Sequence, residues 1–281
     1  MQNFKLNETE ILSNQDWTFP TNTAYGPGRF KEIGDQCNKF GIRNPLIVTD
    51  NGSTKLPFIN ELKELLLKAN IKSDLFSEIS PNPREDEISV GCKKYKDGNH
   101  DSIIAIGGGS AMDGGKLICL TANNDIPLRD FEFELTPPKI SKDNPFPKII
   151  TIPTTAGTGA ETEITAMVTY LKEGMKFCMW HPDVRPVLAL VDPELTLGLP
   201  SSLTAWTGVD AMVHAIEGYC VPGFHPLCDG PALESLSLIS KSLYLAVEEP
   251  KNLIARGGMH IGSYLGGIAF LKGLGNVHSI S

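Results

Sequence analysis

Asp210 and His214 stand four residues apart in GVDAMVHAIEGY, residues 208–219. On a helix that spacing sets two side chains one turn apart on the same face. A carboxylate oxygen and an imidazole nitrogen together suit a divalent ion such as iron or zinc. The same spacing also serves a plain hydrogen-bonded pair, which is the commoner explanation when the motif is taken alone. Glu217, a further turn along, is either a third polar member or a partly exposed acid. Val209, Met212, Val213 and Ile216 read as the apolar face of this helix. Far along the chain, GLGNVHSIS (273–281) supplies another imidazole, His278.

A second kind of chemistry is suggested by IAIGGGSAMDGGK, residues 104–116, where an apolar run enters glycines and then a helical pattern. Gly108 and Gly109 allow a ligand close to the backbone. The N–H groups and positive dipole at a helix start suit a pyrophosphate. Ser110 can cap the helix or donate to a phosphate oxygen. A tight turn with no ligand is the alternative, but three successive glycines after a βαβα run favour phosphate binding. The loop is not the Rossmann dinucleotide fingerprint, which occupies the first βα turn, and it lacks the P-loop spacing. Asp50, closing PLIVTD (45–50), can accept hydrogen bonds from a ribose and repel a 2′-phosphate. Asp before Asn-Gly is also a common turn starter. In PTTAGTGAETE (153–163), the hydroxyls of Thr154, Thr155 and Thr158 either line a cofactor crevice or belong to an irregular polar loop.

These residues need elements to position them. Strand signals at 45–50, 73–79 and 101–110 alternate with helical periods at 58–70, 83–98 and 111–123, with acids at the start of 83–98, where the helix dipole favours them. Such alternation implies a parallel sheet with helices on its faces. Further strand signals lie at 148–155, 164–170, 176–180 and 186–192, and the Pro-rich stretch 136–147 reads as a surface loop. Beyond Pro193 the pattern becomes helical, at 201–221, 231–249 and 251–273. The division expected is an α/β domain over 1–192 and an all-helical domain over 193–281.

The bulk numbers fit a globular chain of 281 residues: 41% hydrophobic, 21% charged. A net charge of −8 argues against nucleic acid as a partner, since no basic stripe is available to neutralise phosphates. Six scattered cysteines without a CxxC pair fit a reduced compartment. The first nineteen residues lack the features of a secretory or transit peptide, and no apolar run is long enough to span a membrane. The expected location is cytoplasmic, with no membrane partner.

Taken together, GGGSAMDGGK, PTTAGTGAETE, VDPELTLGLPSSLTAWTGVDAMVHAIEGY and the terminal GLGNVH resemble the iron-containing (group III) alcohol dehydrogenases, from about Tyr25 onward. The chain is similar, more distantly, to glycerol dehydrogenase and dehydroquinate synthase. The resemblance implies a Rossmann-like nucleotide-binding domain, a helical metal-binding domain and homodimers. It implies NAD, with NADP the lesser alternative, at Gly108, Gly109 and Ser110, with Asp113 beside them. Thr154, Thr155, Thr158, Lys176 and Asn82 match other cofactor contacts, and Asp50 matches the position that favours NAD over NADP. One Asp and three His hold the family's metal, Fe2+ with Zn2+ as the alternative. Asp210, His214 and His278 match the first three ligands, with His214 and His278 at the centre of the catalysis. His181, His225 and His260 match none; His260 reads as a polar core or face residue.

The implied activity is hydride transfer between a small alcohol, aldehyde or hydroxyacid and nicotinamide, with Arg185 and Arg256 as carboxylate-binding candidates by charge alone. In the family, a further histidine and the fourth ligand come later than His278, so the helical domain is expected to be incomplete. The alternative is therefore a catalytically incompetent NAD-binding or oligomer-forming chain, with apolar surface uncovered on the helix at 251–273.

Overall fold

The computed structural model describes residues 12, 14–17, 21–223 and 225–280. Most of the N-terminal stretch read above for targeting signals lies outside them. The strands are β1 (Gln15–Trp17), β2 (Thr23–Tyr25), β3 (Pro45–Asp50), β4 (Asp74–Ile79), β5 (Ser102–Gly107), β6 (Lys148–Pro153), β7 (Thr165–Tyr170), β8 (Met175–Trp180) and β9 (Leu188–Val191). The α-helices are α1 (Ile33–Phe40), α2 (Pro57–Lys68), α3 (Glu85–Asp97), α4 (Gly109–Ala122), α5 (Ser201–Cys220), α6 (Pro226–Glu248), α7 (Leu253–Ala269) and α8 (Asn276–Ile280). Among the described residues no helix is long and apolar enough to cross a membrane.

Two compact units emerge. One is Phe30–Ile152 with Ile164–Leu190; the other is Met1–Arg29, Pro153–Glu163 and Val191–Ser281. The helical unit therefore includes two segments that the sequence division assigns to the α/β domain. Hydrogen bonds explain why. Thr21 Oγ1 donates to the Thr162 carbonyl at 3.0 Å, and Thr23 Oγ1 lies 2.7 Å from the Tyr264 hydroxyl of α7.

In the first unit the strand order is β9-β6-β5-β3-β4, and β3 pairs in parallel with both β4 and β5. Leu46, Ile47, Val48, Ile103, Ile104, Ala105 and Ile106 are all fully buried. Successive residues can only be buried together when both faces of a sheet are covered, which is the condition of a parallel sheet. Helix α4 packs on β3 and β5, with Met112, Leu117, Ile118 and Leu120 buried, each worth about 1.5–3 kcal/mol on burial. Because β4 and β5 flank β3 on opposite sides, sheet growth reverses between β3 and β5. Ligands of open α/β sheets bind beyond the strand ends at such a reversal. Asp50 ends β3 there and Gly107 ends β5.

Strands β7 and β8 form a separate antiparallel pair, turning at Gly174 in the left-handed region (φ 64°). Their burial alternates, with Ala166 and Val168 inside and Met167 at 40% exposure, as a two-residue period requires when one face is solvated.

In the helical unit, α5, α6 and α7 pack against one another around Ala156, Ala211, Ile239, Ala246, Ala255 and Met259. Helix α6 begins at Pro226, five residues before the expected start, with His225 as its exposed N-cap. The apolar face read for α5 is only partly packed: Met212 packs on the core, whereas Val209 is 52% and Ile216 44% exposed. The buried side holds Thr204, Gly208, Ala211, His214, Ala215, Glu217 and Gly218. The helices approach so closely that small residues fill the seam; a Cβ on Gly208 would stand 2.3 Å from Leu243 Cδ1. The uncovered surface expected on 251–273 is also corrected. Helix α7 is buried almost throughout, because α5, α6 and the Thr21–Thr23 and Gly159–Thr162 stretches surround it.

Candidate functional site

Helix α5 presents Asp210, His214 and Glu217 along one side. After Gly273 (φ 130°) the chain turns back, and the single turn of α8 brings His278 to them. One ligand atom from each of Asp210, His214 and His278 lies within 4.8 Å of the others. His214 Nε2 is 3.8 Å and His278 Nε2 3.4 Å from Asp210 Oδ1. The imidazole rings stack, with centroids 4.3 Å apart at 16°, and Phe270 lies against His214 at 4.9 Å.

These separations suit a shared ion better than direct hydrogen bonds. Ligands about 2.1 Å from a tetrahedral metal sit about 3.4 Å from one another. Two imidazole nitrogens and a carboxylate oxygen are also a fitting donor set for iron or zinc. His214 is buried, and its Nδ1 completes no well-aligned hydrogen bond among the described residues. Burial lowers the pKa of His214 and so favours the neutral, metal-binding form; Asp210 and the Gly157 backbone act the other way.

Glu217 proves to be a buried partner of His278. Its Oε2 lies 2.5 Å from His278 Nδ1, and its Oε1 accepts the Val277 N–H at 2.6 Å. Burial works to raise its pKa, but the hydrogen bonds from His278 and the backbone N–H groups of Val277, Gly275 and His278 bring it below the usual glutamate value. The spacing 210, 214, 217 placed Glu217 on the right side of the helix. Nothing in the sequence showed what would fold back onto it.

The glycine loop behaves as a strand-to-helix turn of the expected kind. Gly108 is the N-cap of α4 and Gly109 its first residue. Gly107 has φ 144°, and a Cβ there would meet Asp50 Oδ2 at 2.9 Å, so a side chain is excluded on both grounds. Ser110 does not cap the helix; its hydroxyl donates to the Pro81 carbonyl at 2.6 Å. Asp50 accepts the Ser53 N–H and hydroxyl at 2.9 and 2.8 Å, so it does hold a turn, at the sheet's reversal point. Asp113 accepts the Met167 N–H at 3.2 Å and faces buried Lys116 at 3.7 Å; burial raises its pKa, and Lys116 opposes this. Asn82 and Lys176 meet in one cleft of about 420 Å³, lined also by Ser80, Pro81, Arg84, Thr169 and Gly174.

In the helical unit, Thr154 is buried while Thr155 and Thr158 are half-buried, and Thr158 Oγ1 accepts the Ala160 N–H at 3.3 Å. The other histidines have structural places. His181 Nε2 is 3.0 Å from the Pro138 carbonyl, holding the Pro-rich loop, and His260 is wholly buried. Arg256 is no carboxylate clamp. It is buried and committed to the Thr204 hydroxyl and the Pro250 and Leu199 carbonyls.

Two family models match the chain. Residues 20–193 match the family model described as iron-containing alcohol dehydrogenase, and residues 204–281 match the model for the C-terminal part of the Fe-containing alcohol dehydrogenase family. The chain is 37% identical to alcohol dehydrogenase 4 of Schizosaccharomyces pombe, with 93% of this chain and 61% of that protein covered. It is 34% identical to the NAD-dependent methanol dehydrogenase of Bacillus methanolicus, with 93% and 68% covered. Among solved structures, the alcohol dehydrogenase from Oenococcus oeni superposes with a TM-score of 0.86 at 32% identity, covering 95% of this chain and 69% of that one. The chain thus spans 61% and 68% of the lengths of these two curated relatives.

Proposed function

The chain belongs to the iron-containing alcohol dehydrogenase family, and from that premise we propose that it transfers hydride between a small alcohol or hydroxyacid and NAD in a metal-dependent reaction. The observation that carries this reading is the convergence of Asp210, His214 and His278 on one point, with Glu217 behind. Asp210, His214 and His278 would hold ferrous iron, or zinc. When bound, the ion would supply Lewis acidity toward a substrate oxygen, and the nicotinamide would supply the hydride acceptor.

The protein's own contribution is placement. Neutral His214 keeps a nitrogen lone pair available because burial disfavours its charged form. Phe270 covers its ring and keeps water from that side. Gly108 and Gly109 leave the backbone open at the start of α4, where N–H groups would face a pyrophosphate. Asp50 would accept from the adenosine ribose and disfavour a 2′-phosphate. Ser110, Asn82, Asp113 and Lys176 lie around the same end of the sheet, and Thr154, Thr155 and Thr158 would border the cofactor. The reading takes the chain as a cytoplasmic homodimer acting on a small molecule.

The test is NAD reduction by the ferrous-loaded chain on a panel of alcohols and hydroxyacids. Activity lost in His214→Ala, with NAD affinity unchanged, is the expected result. Parallel loss of activity and NAD binding would contradict the division of labour.

A further inference from the structure

Glu217 is a buried side chain of α5 held by the turn that carries His278. It is 7% exposed. Its two oxygens lie within reach of three nitrogens on one short stretch: Val277 N at 2.6 Å, His278 N at 3.4 Å and His278 Nδ1 at 2.5 Å. The turn closes tightly over it, since a Cβ on Gly275 would stand 2.9 Å from Glu217 Oε1.

The chemical consequence follows from what a carboxylate can do. An ionised carboxylate only accepts, so the ring nitrogen facing it must carry a hydrogen. A neutral imidazole has one such hydrogen, so with Nδ1–H pointing to Glu217, the lone pair lies on Nε2. That is the atom 3.4 Å from Asp210 Oδ1 and directed at the candidate metal position. The opposite tautomer would aim a hydrogen at the ion and could not ligate it. At His214 the Gly157 backbone acts on the ring, and its Nδ1 completes no well-aligned hydrogen bond among the described residues.

Resting on the metal-site reading above, the geometry points to Glu217 as the positioning residue that fixes the tautomer and orientation of His278 and docks the 275–278 turn onto α5. Carboxylates behind a ligating histidine work in this way, and their loss costs roughly 10- to 100-fold in metal affinity. Glu217→Gln is the discriminating change. Its carbonyl oxygen keeps the Val277 N–H, which places the amide NH2 against His278 Nδ1. That nitrogen must then accept, and the hydrogen moves to Nε2.

The experiment pairs two readouts on the full chain. Nitrogen-15 histidine spectra of the metal-free protein, with His278 assigned through His278→Gln, report the tautomer. Ferrous affinity is measured anaerobically against a competing chelator. The expected result is the Nδ1–H form in wild type, the Nε2–H form in Glu217→Gln, and iron affinity lower by roughly 10- to 100-fold in the variant with an unchanged melting temperature. Equal tautomers and equal affinities would overturn the assignment. So would an Nε2–H form in wild type alone, which needs no variant to fold. Failure of wild type to take iron in a His214-dependent way would instead refute the metal-site reading, while the tautomer comparison would still decide the role of Glu217.

Discussion

His260 makes the helical unit sensitive to acid. It has no exposed surface. Neither ring nitrogen completes a well-aligned hydrogen bond among the described residues, although the Thr155 backbone is close enough to act on the ring. Burial lowers its pKa from 6.5 to about 4, with Thr155 opposing and the Arg256 charge adding to the fall. Between these two values the unfolded chain binds a proton that the folded chain excludes. Stability from this residue is therefore complete above pH 6.5, drains as pH falls, and levels off below about 4. A gap of about 2.5 units at about 1.4 kcal/mol each amounts to roughly 3 kcal/mol, nearly all lost by about pH 4. In His260→Leu this proton linkage is absent. The variant's stability near neutral pH stays within about 1 kcal/mol of wild type, because no unpaired nitrogen remains buried. Urea unfolding followed by far-ultraviolet circular dichroism, at steps from about pH 7 to about pH 4, gives the difference between the two proteins. A gap that grows by roughly 3 kcal/mol in favour of the leucine variant is expected. Parallel curves would refute the reasoning.

Two further outcomes follow from other sites. Asp50→Asn keeps an acceptor for the Ser53 N–H but removes the charge. Two like charges about 4 Å apart repel by about 1 kcal/mol even in water, so the ratio of NADP to NAD affinity rises roughly fivefold or more; an unchanged ratio by calorimetric titration would remove Asp50 from the cofactor site. Arg256→Met preserves bulk but removes the donors that serve the Thr204 hydroxyl and the Leu199 and Pro250 carbonyls; it destabilises by about 2–4 kcal/mol, and a melting temperature equal to wild type would show that this buried network contributes nothing.

The parallel sheet was legible because IIAI and LIV are apolar at successive positions, which only a sheet covered on both faces permits. The metal-binding pair was legible as a spacing, since Asp210 and His214 lie on the same helix. The packed side of that helix was not. Size and hydrophobicity pointed to Val209 and Ile216, whereas close approach of α5, α6 and α7 requires Gly208, Ala211, Ala215 and Gly218 at the contact. The Glu217–His278 pair spans sixty-one residues and depends on the turn at Gly273, so no local period could reveal it. Membership of Thr21–Thr23 and Gly159–Thr162 in the helical unit rests on hydrogen bonds and contacts still more distant in sequence.

The central claim is that Asp210, His214 and His278 form one metal site on this chain. It is tested most directly by metal stoichiometry after anaerobic loading of the purified protein with ferrous iron, with His214→Ala in parallel. The account predicts about one iron per chain in wild type and loss of that iron in the variant. No bound iron, or iron retained equally by His214→Ala, would contradict it.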